Sequence, residues 1–259
     1  MNKEIASQSE AFRGEQDAWK KVLGVEVDIQ PLPISITPEV KKNLEKMGAE
    51  LFFIPSLNLG TLKELKDIGV EKFLDNLQCR YPNWKKYGSL SGTQRRDHSI
   101  TRNLNDWYWQ SVKDEKIDFP RLPGNWIVVE MMPIPAYGDR YAPSKMSEKL
   151  GFKDRFDITW DNINKAINRE KINILNETEL RSGDVRMLEA REWNLLANRE
   201  DWKRTFIYEW TNTEFRDSGE SRRVVVGCSG VDGAADADWC NPGISHNSLG
   251  FRVAVVLGP

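Results

Sequence analysis

The chain has 259 residues, 39% of them hydrophobic, and 37 Lys and Arg against 39 Asp and Glu. A net charge of -2 gives no electrostatic case for a nucleic-acid partner, and no stretch approaches the roughly 20 apolar residues of a membrane span. Cys79, Cys228 and Cys240 form neither an even disulfide framework nor a zinc pattern, and His98 and His246 are too few for a histidine-based metal site. The polar start, MNKEIASQSE, has no apolar core of a signal peptide, so the cytoplasm is the default address unless the protein is exported or carried on a virion.

The first 36 residues begin with a polar, amphipathic stretch and end in the proline-containing connector IQPLPIS. Thr37-Pro38-Glu39 then supplies an N-cap, a proline at the first helical position and an acid in the first turn. Val40, Leu44 and Met47 follow at helical spacing, and Gly48 is the expected stop. Leu51-Phe52-Phe53-Ile54 reads as a short strand ended by Pro55. Thr61 caps a helix through Leu62, Leu65 and Ile68, and residues 70–77 predict another. Residues 85–98 are polar, with Gly88, Gly92 and the pair Arg95-Arg96, and read as a solvated loop. The aromatic-rich stretch 103–109 leads to a Pro/Gly connector at 119–124, the expected boundary between an accessory region of mixed helix and strand at 1–121 and a second domain at 122–259.

Residues 126–132 are an apolar run of strand length. Residues 133–157, rich in Pro, Gly and charge, are expected as a long surface connection. Thr159 caps a helix through Ile163, Ala166 and Ile167, and residues 184–198 predict a second amphipathic helix with Leu188, Trp193 and Leu196 inward. Three strand-like pieces complete the chain at 206–210, 223–226 and 251–257. Helices followed by short strands and long loops make this half α+β.

Five short motifs in this half have an order of their own: Ile158-Thr159-Trp160-Asp161-Asn162, the run from Arg186 to Trp193, Tyr208-Glu209-Trp210-Thr211, the run from Arg223 to Ser229, and Gly250-Phe251-Arg252-Val253. In order and spacing they resemble the landmarks of the sulfatase-modifying-factor family, the formylglycine-generating enzymes and their relatives. The resemblance covers about 135 residues of this chain and implies a C-type lectin-like fold, with Trp160, Trp193 and Trp210 as framework anchors and Arg252 donating to backbone carbonyls. Those enzymes hold copper with a closely spaced cysteine pair, because soft thiolates suit Cu(I). Here Cys228 and Cys240 are twelve positions apart and Cys228 stands at a glycine position of the motif, so catalysis and a cofactor are not expected. The alternative function is an oxidase or oxygenase of that family with an altered metal site. Asp232, Asp236 and Asp238 fit no calcium-loop spacing.

The segment 228–249, CSGVDGAADADWCNPGISHNSL, departs from its background. The chain is 29% charged, yet these 22 residues contain no Lys, Arg, Glu, Gln or Met. It resembles the variable region of the variable proteins of diversity-generating retroelements, which carry this lectin-type fold. Their Asn codons are rewritten at adenines, a process that cannot produce Lys, Glu, Gln, Met or Trp. Gly227-Cys228-Ser229 before the segment, Trp239 and Pro242 within it, and Leu249-Gly250-Phe251-Arg252 after it stand as the fixed points of the resemblance. The resemblance implies a non-catalytic protein whose ligand-binding positions are Val231, Asp232, Asp236, Asp238, Trp239, Cys240, Asn241, Gly243, Ile244, His246 and Asn247. Ala234, Ala235, Ala237, Ser245 and Ser248 are spacers. The implied partner is a protein or cell-surface molecule, and the patch is mildly acidic and partly apolar.

Overall fold

The structure is a computed structural model that describes residues 2–83, 102–131, 145–180, 182–199, 208–227, 236–247 and 249–258, without the side chains of 2–11, 102–106 and 236. The loop expected at 85–98 lies outside the described residues, as do the candidate positions Val231 and Asp232.

The described residues form a mixed α+β structure with two four-stranded sheets. The order is α1 (Asn2–Leu23), α2 (Pro38–Lys46), β1 (Ala49–Ile54), α3 (Leu62–Ile68), α4 (Val70–Arg80), α5 (Arg102–Lys113), β2 (Asn125–Glu130), α6 (Lys145–Lys149), α7 (Trp160–Thr178), β3 (Asp184–Met187), α8 (Ala190–Ala197), β4 (Tyr208–Asp217), β5 (Glu220–Gly227), β6 (Asp236–Cys240), β7 (Leu249–Gly250) and β8 (Val253–Val256).

The helix starts obey local chemistry. The hydroxyls of Thr37, Thr61 and Thr159 accept from the backbone N–H groups of Val40, Glu64 and Asn162, each satisfying a donor that a helix start leaves free. Gly48 closes the turn after α2 in the left-handed region, with φ 64°, where a side chain would be strained. The first sheet runs β1-β2-β8-β3. All its ladders are antiparallel: β1 pairs with β2, β2 with β8 and β8 with β3. The strand before the 119–124 connector therefore lies beside the first strand after it, and the last strand of the chain lies beside that. Phe52, Phe53, Trp126, Val128 and Val255 are buried in one hydrophobic core that draws on both sides of the connector.

Residues 184–198 are not one helix. Asp184–Met187 is a strand whose four residues pair with β8, and α8 begins only at Ala190. Val185 and Met187 are buried while Asp184 is exposed, a period of two that the helical reading overlooked. The strand is fastened closely: a Cβ at Gly183 would stand 2.7 Å from Val255 Cγ1. Leu188, Trp193 and Leu196 are buried as expected. Residues 133–157 are likewise not wholly a surface connection. Within them α6 buries Met146 and Ser147, and Arg155 and Phe156 are buried just beyond it.

The second sheet runs β6-β5-β4-β7, with β4 and β7 parallel and the other pairs antiparallel. Its edge strand β6 was missed in the sequence. The segment DADWC is short and acidic and has no β-branched residue, so its polar/apolar alternation and its Trp are weak strand signals by themselves. Pairing with β5 across five positions makes it a strand.

Candidate functional site

The frame beneath the segment 228–249 is held by polar groups buried between the motifs. Arg252, 1% exposed, donates through Nε to both carboxylate oxygens of Glu209 at 2.9 Å. Trp193 Nε1 donates to the same carboxylate at 2.9 Å, so the second and fifth motifs meet on the Glu209 carboxylate of the third. Arg252 also donates through Nη1 to the Glu130 backbone carbonyl at 3.3 Å, a contact of the expected kind, while the Glu209 carboxylate is a partner the sequence reading did not foresee. Trp160 Nε1 donates to the Thr211 carbonyl at 3.0 Å and Trp210 Nε1 to the Ile158 carbonyl at 3.1 Å, a reciprocal clasp between the first and third motifs. Buried indole N–H groups need such partners.

A second buried cluster has no counterpart in the sequence reading. The Glu130 carboxylate accepts from Arg155, from Ser147 Oγ at 3.0 Å and from the Val253 backbone N–H at 3.1 Å. It thus ties the 153–157 stretch and α6 to β8. Closer to the N-terminus, Glu15 accepts from Arg199, from Trp19 Nε1 and from the Phe53 N–H, locking α1 onto the sheet. Arg191, buried on α8, lies over the rings of Tyr108 and Trp109 of α5 at 4.2 and 4.3 Å. Its burial holds the guanidinium pKa below the ordinary value.

On this frame sits the candidate surface. In register, Gly227 faces Asp236, Val226 faces Ala237, Val225 faces Asp238, Val224 faces Trp239 and Arg223 faces Cys240. Directly opposed residues share a sheet face and successive residues alternate faces. Ala237, 1% exposed, packs into the core, and Trp239 stands on the same pleat. The Trp239 ring is parallel to Phe215, with centroids 6.1 Å apart at 5°, and the Arg222 guanidinium lies 3.7 Å from its centre. Phe215 in turn meets Trp107 of α5 at 5.5 Å. The other pleat carries Asp238, exposed, and Cys240, half-buried, across from Arg223. The Arg223 guanidinium lies over the Trp160 ring, 3.8 Å from its centre, and donates through Nη1 to the Asn212 carbonyl at 3.0 Å. Burial raises the Cys240 thiol pKa, with the Asp238 charge adding to the rise.

After β6 the chain turns through residues 241–247. Asn241, Gly243, Ile244, Ser245, His246 and Asn247 are exposed and Pro242 is half-buried. The turn is held largely by main chain. The Asp157 N–H donates to the His246 carbonyl at 3.2 Å and the Asp161 N–H to the Pro242 carbonyl at 3.4 Å. Within the turn, Ile244 N–H reaches the Asn241 carbonyl and Leu249 N–H the His246 carbonyl, both at 3.0 Å. Asn241 Oδ1 braces it from a side chain, accepting from the Gly243 N–H at 2.9 Å. Of the exposed large hydrophobics among the described residues, Trp239 and Ile244 belong to this segment and Ile172 of α7 does not.

Of the candidate positions, Asp236, Asp238, Trp239 and Cys240 therefore share one edge strand, and Asn241, Gly243, Ile244, His246 and Asn247 share the turn after it. Cys240 pairs with Arg223 at one end of the β5–β6 ladder, and Cys228 lies outside the described residues. Among the described residues no group of three or more His, Cys, Asp or Glu is placed to hold a metal ion, and no helix is long and apolar enough to cross a membrane. Compared with family models, characterised proteins and solved structures, the chain matches none.

Proposed function

We propose that this chain is a non-catalytic binding protein of C-type lectin-like fold, of the sulfatase-modifying-factor subclass, whose segment 228–249 is diversified by a retroelement to display variable ligand-binding residues. The observation that carries the reading is the way the 241–247 turn is held. Its anchors include main-chain hydrogen bonds from Asp157 and Asp161, which do not depend on which side chains stand at 243, 244 or 247. A surface whose residues change must keep its backbone path while they do, and loops on a rigid frame meet that need. The composition of the segment supports the same reading, since it lacks the Lys, Glu, Gln and Met that adenine rewriting of Asn codons cannot produce. The meeting of the motifs on the Glu209–Arg252 pair supports a shared framework. Catalysis by a closely spaced cysteine pair is disfavoured by the twelve positions that separate Cys228 and Cys240 in the sequence.

The test is genetic. Sequencing the DNA around the gene is expected to find a near-copy of the 228–249 coding segment beside a reverse-transcriptase gene, differing from it mainly at adenines. A locus with neither would overturn the diversification, and copper-dependent oxygen turnover on a cysteine peptide by the purified chain would overturn the non-catalytic reading.

A further inference from the structure

The period-two geometry of β6 divides the proposed variable segment between two faces of its sheet, and we infer that ligand is read on one face only. The reading face is formed by Asp238, Cys240 and the 241–247 turn; Trp239, on the other pleat, is a positioning residue. The occupant is a protein surface that presents a basic group. This inference rests on the binding function proposed above and specifies which of its residues meet the ligand.

Trp239 is the largest side chain of the segment, and size alone would make it the central anchor of an interface, since tryptophan and arginine dominate hot spots. Its contacts assign it another role. One ring face lies against the Arg222 guanidinium and the ring runs parallel to Phe215, so it is already engaged within the sheet and is 39% exposed. Phe215 continues the contact to Trp107 of α5. β6 is an edge strand held on one side by β5, and the Trp239–Phe215–Trp107 row fastens it from one face. Ala237, on that same pleat, is buried. The two residues of this pleat are thus those whose replacement would disturb packing, which suits positions that stay constant.

On the opposite pleat the requirements are loose. Asp238 is exposed, and Gly243 in the turn has room for a side chain, because a Cβ there would meet only Asn241 Oδ1 at 3.4 Å. The turn runs to the start of α7, where Asp157 and Asp161 hold it through their N–H groups and keep their own carboxylates exposed. Asp238, Asp157 and Asp161 thus border this face. Among the described residues, the cations in this part of the chain include Arg223, over the Trp160 ring, Lys165, one helical turn beyond Asp161, and Lys153, four positions before Asp157. The exposed carboxylates favour a partner that brings positive charge.

The test uses the full chain displayed as two libraries, both selected against lysozyme, a basic protein. One library varies positions 238, 240, 243, 244, 246 and 247; the other varies 215, 222 and 239. The first is expected to yield binders that lose about tenfold in affinity when a varied residue is reverted, the loss typical of an interface hot spot. In those clones Trp239→Phe is expected to change affinity by no more than about threefold, because the ring still packs on Phe215. Binders arising only from the second library would overturn the inference. So would first-library binders that lose about tenfold on Trp239→Phe with unchanged melting temperature, the mark of a direct contact. Binders from neither library would overturn the binding function itself, and this inference with it.

Discussion

Glu209 and Arg252 stand 43 positions apart and are each about 1% exposed, so their charges neutralise one another where water cannot. Removing one partner of such a pair leaves the other as a buried, uncompensated charge. Glu209→Gln is therefore expected to cost about 3–5 kcal/mol of folding stability, read from urea unfolding, and the Trp193 indole N–H loses a charged acceptor at the same time. A loss near that of a surface substitution would mean that water or a neighbouring group reaches Arg252. The sequence held half of this information. Trp193, Glu209 and Arg252 each stand in a recognisable motif, but which carboxylate meets which guanidinium depends on two sheets and a helix coming together. Arg155, in a polar stretch, was not legible, because there a buried charge has the same letter as an exposed one, and Glu130, the one charge in the apolar run 126–132, gave no sign of which cation would meet it.

Cys240 gives a second prediction at this scale. Burial, the largest cause, disfavours its thiolate, and the Asp238 charge adds to the effect. In a variant with Cys79→Ser and Cys228→Ser, the alkylation rate of Cys240 is expected to rise with pH through a midpoint above that of an ordinary thiol. Because Asp238 raises the value, Asp238→Asn should move the midpoint down. A midpoint below the ordinary thiol range would mean an activated cysteine and would speak for chemistry at this site.

At the scale of elements, the helices were the most legible. Thr37, Thr61 and Thr159 each announced a start, and each hydroxyl accepts the expected N–H. Thr159→Ala is expected to cost about 1 kcal/mol through the lost α7 cap, measured by denaturant unfolding. A cost near zero would mean that the Trp160–Thr211 clasp alone sets the start of α7. The turn after β6 should behave in the opposite way. Joint replacement of Gly243, Ile244 and Asn247 by serine is expected to move stability by only about 0.5 kcal/mol, because main-chain hydrogen bonds anchor the turn. A melting scan checks this, and a cooperative loss of several degrees would show that the side chains hold the turn. The strands were less legible than the helices. β3 was read as the beginning of a helix and β6 as loop, since a strand of four or five residues has too few positions for its period to stand out. Their pairing partners in β8 and β5 lie 66–72 and 9–17 positions away in sequence.

At the scale of the whole molecule, β1 and β2 lie side by side although the 119–124 connector separates them in sequence. Phe52 and Phe53 are buried in the core shared with Trp126 and Val128, and the Trp126 indole donates to the Gln30 carbonyl at 2.7 Å. A fragment of residues 122–259 would uncover one edge of β2 and the apolar surface that β1 and α1 cover. It is expected to lack a cooperative unfolding transition and to bind a hydrophobic dye, whereas the full chain unfolds in a single step. A fragment that melts cooperatively would show that the second half folds alone and that the first is an addition to it.

The sequence by itself determined the helix starts, the mixed α+β class, the identity of the motif residues and the unusual composition of 228–249. These are local properties, written in side-chain chemistry and spacing within a few turns of chain. Only the tertiary structure decided which charges are buried, that Asp184–Met187 and Asp236–Cys240 are strands, and that Trp239 and Asp238 belong to opposite faces of one sheet. The reason is physical. A strand is completed by hydrogen bonds to a partner elsewhere in the chain, and a buried charge is tolerated only where its counter-charge arrives from another element.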